Sequence, residues 1–272
     1  MAAVSEREIE LASGRTVVRV EGMGRPFVWT HGFTNSMAVE DELGSSAPLR
    51  DLPGVRLVRY DARGHGRSAP GRDDAASSWS ALAGDLLELC DRLALERPIA
   101  GGASMGTATT LHAAVHAPER FAGLVLVVPP TAWETRKAQA DIYRGGAGLV
   151  EARGVQAYLE AARAAFRLRP MPGFDEAAFE RVLAALGALP AAELARIMRG
   201  AAASDLPEPA ALREIRVPAL IVATRGDPGH PLSTAERLAE LLPDTKLRVI
   251  DSLLELGSVR GELARFVAEL PR

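Results

Sequence analysis

Two short stretches carry residue types and spacings that could do chemistry together. Gly102-Ala103-Ser104-Met105-Gly106 fits the pattern G-x-S-x-G. A short strand at 97–101 precedes it, and residues 105–116 follow it with helical spacing. Two glycines permit a sharp strand-to-helix turn, which lifts the Ser104 hydroxyl out of a sheet. The turn also places the Met105 N–H at a helix N-terminus, where the dipole favours a developing oxyanion. His31-Gly32-Phe33 follows a short apolar run at 27–30. A loop there can supply a second oxyanion donor, the Phe33 N–H; a plain strand-to-loop turn closed by Gly32 would use the same residues.

A third stretch lies between them: Tyr60-Asp61-Ala62-Arg63-Gly64-His65-Gly66-Arg67-Ser68. With His31-Gly32-Phe33 before it and residues 102–106 after it, the chain resembles the α/β-hydrolase superfamily, in its lidded branch of esterases, lactonases and related enzymes. The resemblance implies that Ser104 is a nucleophile and that the N–H groups of Phe33 and Met105 form an oxyanion hole. It implies a structural part for the turn at 61–68, so Asp61, Arg63 and His65 receive no catalytic role. The family's acid follows the strand after the lid, and Asp227 falls in that slot. Its base is a histidine after the last strand, here around residues 251–255.

No histidine stands there. The five histidines are His31, His65, His112, His116 and His230. A serine–aspartate pair without an imidazole takes up the serine proton poorly. Either another histidine serves, or the hydrolytic chemistry is weakened. His230 is the candidate. Asp227-Pro228-Gly229-His230 reads as a type II turn, which brings its first and fourth Cα atoms within about 7 Å. His230 can equally sit at the start of the next helix and meet only solvent. The acid orienting it could also be Asp251 or Glu134.

The remaining chemical candidates are weaker. His112 and His116 are spaced i, i+4, but no third ligand and no H-E-x-x-H pattern accompanies them, so they read as surface or packing residues. Cys90 lies on the apolar side of a helical run and reads as a small buried hydrophobe. Trp133, just after Pro129-Pro130, either lines a substrate pocket or anchors the start of a lid. There is no phosphate loop, dinucleotide fingerprint or metal-ligand set, so no cofactor is implied.

The elements that must position these residues alternate between strand and helix. Strands are expected at 7–12 and 16–20 (a hairpin), 27–30, 55–60, 97–101, 123–128, 218–223 and 246–250. Helices are expected at 79–95, 105–116, 233–242 (opened by a Ser233…Glu236 capping box) and 257–270. Such alternation predicts an α/β fold, a mostly parallel doubly wound sheet. The rhythm breaks from Thr131 to Ser204, which is Ala-rich and helical. Turns at Pro172-Gly173-Phe174 and Leu189-Pro190 divide it, and Asp175 is a plausible N-cap. Residues 1–130 and 205–272 then form the core, and 131–204 an inserted helical cap.

Composition sets the bounds. A chain of 272 residues with 47% hydrophobic and 25% charged residues is an ordinary globular protein. Lys plus Arg is 32 and Asp plus Glu is 35, a net charge of −3, with no footprint for nucleic acid. The arginines are interleaved with acids and read as solvated surface. One cysteine excludes an intrachain disulfide. No apolar segment is long enough for a membrane span and none at the N-terminus suits a signal peptide, so a cytoplasmic location is expected. The resulting expectation is a serine hydrolase of a small, largely apolar carboxylic ester or lactone. A binder with an impaired site, or a lyase or acyltransferase, would use the same fold.

Overall fold

The computed structural model describes residues 4–168 and 175–271; the turn expected at 172–174 lies outside them. Eight strands form one sheet: β1 (Val4–Leu11), β2 (Gly14–Gly22), β3 (Arg25–Thr30), β4 (Val55–Tyr60), β5 (Ile99–Ala103), β6 (Gly123–Val127), β7 (Ala219–Thr224) and β8 (Thr245–Ile250). Their order is β1-β2-β4-β3-β5-β6-β7-β8. β1 pairs with β2, and β2 with β4, antiparallel. The other pairs are parallel. The helices are α1 (Met37–Leu43), α2 (Ala47–Arg50), α3 (Trp79–Arg92), α4 (Met105–His116), α5 (Arg136–Leu168), α6 (Glu176–Gly187), α7 (Ala191–Ala202), α8 (Pro209–Leu212), α9 (Leu232–Leu241) and α10 (Arg260–Glu269). Helices α5, α6 and α7 are inserted between β6 and β7, as the broken rhythm predicts. Among the described residues no helix is long and apolar enough to cross a membrane.

The sheet is buried on both sides, and its period-2 pattern sorts the residues. On β6, Leu124 and Leu126 join the face that holds α3, α4 and the cap, whereas Val125 and Val127 join the face that holds α10. The strand order turns around between β3 and β5. From there one run of chain goes to β4 and the other to β8. Loops leaving the carboxyl ends of β3 and β5 therefore diverge and leave a crevice, the usual ligand position in open α/β sheets.

Several boundaries depart from expectation for local reasons. β5 begins at Ile99, because Pro98 has no ladder N–H and Arg97 is at φ 41°. Helix α9 begins at Leu232 with Pro231 as N-cap and no side-chain cap, so the Ser233…Glu236 capping box does not form. The last helix opens with a 3₁₀ stretch, Leu253–Val259, before α10. Asp175 does cap α6, accepting from the Ala178 N–H over 2.6 Å. Residues 34–54, unassigned from sequence, hold α1 and α2. Ser36 caps α1 at one end and Gly44, at φ 67°, closes the other.

Not every arginine is solvated surface, contrary to expectation. Arg59 is fully buried between β2 and α1. It meets Glu21 and Asp41 at 2.9 and 2.8 Å, and Glu40 at 3.8 Å. Its planar, always-charged fork suits several carboxylates at once. Glu40 is buried too and accepts from the Trp29 indole N–H over 2.9 Å. Burial pushes its carboxyl up to about 7. The Trp29 bond and the Arg59 charge oppose that rise, and Asp41 and Asp61 add to it. Asp61 joins α1 to the 61–68 turn by accepting from the N–H groups of Met37 (2.8 Å) and Arg67 (3.0 Å).

Two stability outcomes follow. Folded Glu40 keeps its proton to higher pH than unfolded Glu40. Its contribution is therefore complete below the ordinary carboxylate range and is lost as pH rises through about 7. The stability difference between wild type and Glu40→Gln, from urea denaturation, should fall by on the order of 3 kcal/mol from about pH 4 to about pH 8. A pH-independent difference would contradict this. Asp61→Asn turns one acceptor into a donor facing an N–H, and should lower stability by about 1–3 kcal/mol.

Candidate active site

Ser104 stands between β5 and α4 at φ 53° and ψ −112°. A positive φ is uncommon for a side chain with Cβ and requires support. The Ser104 N–H donates to the Val127 carbonyl over 3.0 Å, and its carbonyl accepts from the Ala108 N–H over 3.2 Å. Thr107 Oγ1 lies 2.9 and 3.0 Å from the carbonyls of Gly102 and Val127. The flanking glycines are needed for close packing. A Cβ on Gly102 would strike the backbone of Gly106 and the Thr30 carbonyl, and a Cβ on Gly106 would strike that same carbonyl. The G-x-S-x-G pattern thus lets β3, β5 and α4 meet.

The Ser104 hydroxyl does not cap its helix. It donates instead to His230 Nε2 over 2.8 Å. His230 Nδ1–H donates to Asp227 Oδ2, also over 2.8 Å. Asp227 and His230 both lie on the loop between β7 and α9. The loop closes with a His230 N–H to Asp227 carbonyl bond of 3.2 Å. It is not the type II turn expected, because Gly229 is not among the residues with positive φ. Asp227 Oδ1 accepts from the Gly229 N–H over 2.8 Å, an Asx turn that leaves Oδ2 for His230. Burial raises the Asp227 carboxyl, but the bond and charge of His230 and the Gly229 and His230 amides outweigh it, so Asp227 stays below its ordinary value. The other two acids are elsewhere: Asp251 lies 3.6 Å from Arg225, and Glu134 is exposed.

Phe33 leaves the end of β3, and Met105 opens α4. Among the described residues neither backbone N–H donates to a protein acceptor. The peptide carrying the Phe33 N–H is held at its carbonyl. Gly32 O accepts from His31 Nδ1 over 2.8 Å and from the Asn35 N–H over 3.0 Å. His31 Nε2 accepts from the Ala62 N–H, which fixes the tautomer. Burial and the neighbouring His65 push His31 down to about 3, so it is neutral at working pH. His65 Nε2 faces the Phe33 carbonyl at 2.9 Å, tying the 61–68 turn to the same loop.

The other candidates fall outside this constellation. His112 Nε2 bonds the Asp205 carbonyl at 2.9 Å, and His116 is exposed. Cys90 is buried, and burial pushes its thiol up to about 12. Trp133 ties the start of the insertion to its end. Its N–H donates to Asp205, and its indole N–H to the Pro207 carbonyl over 3.2 Å.

Sequence reasoning missed three neighbours. Thr131 donates its N–H to the Gly229 carbonyl over 3.1 Å. Tyr143, on α5, places its ring 5.0 Å from that of Phe33. Arg136 is buried beneath the cap, where it corrects the solvated-surface reading a second time. Only its place three residues after Trp133 could have drawn attention to it.

Comparison with known proteins agrees with this architecture. A family model described as the alpha/beta hydrolase fold matches residues 25–253. "Putative carbamate hydrolase RutD" of Rhizobium rhizogenes is 33% identical over 206 residues, covering 72% of this chain and 74% of that protein. "3-oxoadipate enol-lactonase 1" of Acinetobacter baylyi is 24% identical over 220 residues, 81% and 79% of the two chains. Among solved structures, the enol-lactonase from Burkholderia xenovorans superposes with a TM-score of 0.76 at 18% identity, over 97% of this chain and 98% of that one. The chain belongs to the α/β-hydrolase fold family.

Proposed function

We propose that the protein is a serine hydrolase of a small carboxylic ester or lactone, with Ser104 as nucleophile, His230 as base and Asp227 as orienting acid. One observation carries the reading: the unbroken line from Ser104 Oγ to His230 to Asp227, with both contacts at 2.8 Å. The names of the relatives support an acyl substrate, since a carbamate and an enol-lactone both place a carbonyl beside a leaving group.

The geometry supports the following steps. Ser104 Oγ adds to the substrate carbonyl while His230 Nε2 takes its proton. The tetrahedral oxyanion is held by the Phe33 and Met105 N–H groups. Collapse expels the alkoxide, which takes the proton from His230; in a lactone it stays attached to the acyl group. His230 then deprotonates a water that attacks the acyl-enzyme, and Ser104 recovers its proton. Asp227 remains ionised throughout, fixing the imidazole tautomer and stabilising the imidazolium. Residues 131–204 act as the cap that excludes water, and Trp133 borders the pocket at its base. The impaired-binder reading rested on the empty base position near 251–255, and a histidine already bonded to Ser104 weakens that ground.

Fluorophosphonate labelling, read by intact mass, tests the assignment. Wild type should gain one adduct quickly and Ser104→Ala none. His230→Ala should label about 10²–10⁴-fold more slowly; labelling at the wild-type rate would overturn the role of His230. Asp227→Asn should leave the fold intact and reduce ester turnover by up to about 10⁴-fold, since an amide can favour the wrong tautomer. Turnover at the wild-type rate would remove Asp227 from the mechanism.

A further inference from the structure

Arg136 is the first residue of α5 and only 5% exposed. Among the described residues its guanidinium makes no ion pair, although the Asp205 charge acts on it from further off. Three oxygens accept from it, two rings flank it, and the Tyr143 hydroxyl acts on its charge as well. Nε donates to the Ser204 carbonyl over 2.7 Å, Nη2 to the Ala201 carbonyl, and Nη1 to Thr131 Oγ1 over 3.1 Å. Its Cζ lies 4.2 Å from the centroid of the Trp79 ring and 5.5 Å from that of the Tyr143 ring.

These partners connect distant parts of the chain. Ala201 lies in the last turn of α7 and Ser204 just past its C-cap Ala203, where free carbonyls and the helix dipole favour a cation. Arg136 thus clasps the two ends of the inserted segment together. Thr131 leads to the base: its N–H holds the Gly229 carbonyl over 3.1 Å, and Gly229 sits between Asp227 and His230. Tyr143 leads to the other side, since its ring meets Phe33 at 5.0 Å. One buried cation therefore touches the supports of both the base loop and the oxyanion loop.

We propose that Arg136 is a positioning residue of the hydrolytic site, setting the His230 loop through Thr131 and Gly229 and the Phe33 loop through Tyr143. The proposal rests on the reading of Ser104 and His230 as nucleophile and base. It assigns the cap a second part besides excluding water, because the catalytic geometry is completed by a buried cap residue outside the Ser104–His230–Asp227 line.

The test compares wild type with Arg136→Met, Arg136→Lys and Arg163→Gln. The last breaks the Arg163–Glu180 pair between α5 and α6, far along the cap. Each variant is assayed below its melting temperature. The readouts are the fluorophosphonate labelling rate against pH and the downfield proton resonance of the Asp227–His230 hydrogen bond. Arg136→Met should label about 10²-fold more slowly across the pH range, the scale of an ångström-sized misplacement, and its resonance should be lost to exchange. Arg136→Lys keeps the charge but not the fork, and should lose about tenfold. Arg163→Gln should match wild type. A folded Arg136→Met with wild-type rate, profile and resonance would overturn the proposal; a purely structural arginine would lower the melting temperature alone. If Arg136→Met does not fold, Arg136→Lys decides by the same criteria. Failure of wild type to label at all would sink the nucleophile assignment instead, so the two failures are distinguishable.

Discussion

A carboxylate and an imidazole three residues apart on one loop set the terms for the rest of this molecule. Asp227 spends one oxygen on the Gly229 N–H and the other on His230. The loop thereby orients the ring locally, without help from a second loop. A single long-range relation remains to be kept, the distance from His230 to Ser104. β5, β6 and β7 are neighbours in the parallel sheet, which places the loop after β7 within reach of the turn after β5. The bond from the Thr131 N–H to the Gly229 carbonyl then ties the loop to the segment that leaves β6. An arrangement with a base on the last loop would need two such relations.

The other half of the site stores strain. Ser104 and Val128 both have positive φ without being glycine. They lie at the exits of β5 and β6, and for a β-branched residue such as Val128 the conformation is a genuine outlier. Strain of this kind persists only where the surroundings over-determine it. Here the ladder does so: Ser104 bonds to Val127, and Val128 bonds to Val222 over 2.7 Å. Close packing of Gly102 and Gly106 under Thr30 leaves the turn no room to relax. The serine is thus presented by the same contacts that hold the sheet to α4.

Much of this was legible in the sequence, because it depends on local pattern. The strand-helix rhythm, the glycine spacing around Ser104 and the pairing of Asp227 with Pro228-Gly229-His230 are all short-range signals. The turn type was misread, since Pro-Gly at the centre suggests a positive φ at Gly229, whereas the Asp227 side chain imposes an Asx turn. Arg136 and Arg59 were illegible for a different reason. An arginine among many carries no sequence mark of burial. What buries Arg136 is the convergence of Trp79, Tyr143 and the end of α7, three segments far apart in the chain. Helix α1 escaped notice because it is short, and its Glu40 faces inward where a helix of its charge suggests solvent.

The most direct measurement is a crystal structure of the protein with Ser104 phosphonylated. The expected result is a phosphonyl oxygen within about 2.7–3.1 Å of the Phe33 and Met105 N–H groups, with His230 Nε2 still facing the ester oxygen and Asp227 still holding Nδ1. An adduct whose oxygen points away from both amides, with the His230 ring turned to solvent, would contradict the claim that one loop supplies both base and acid.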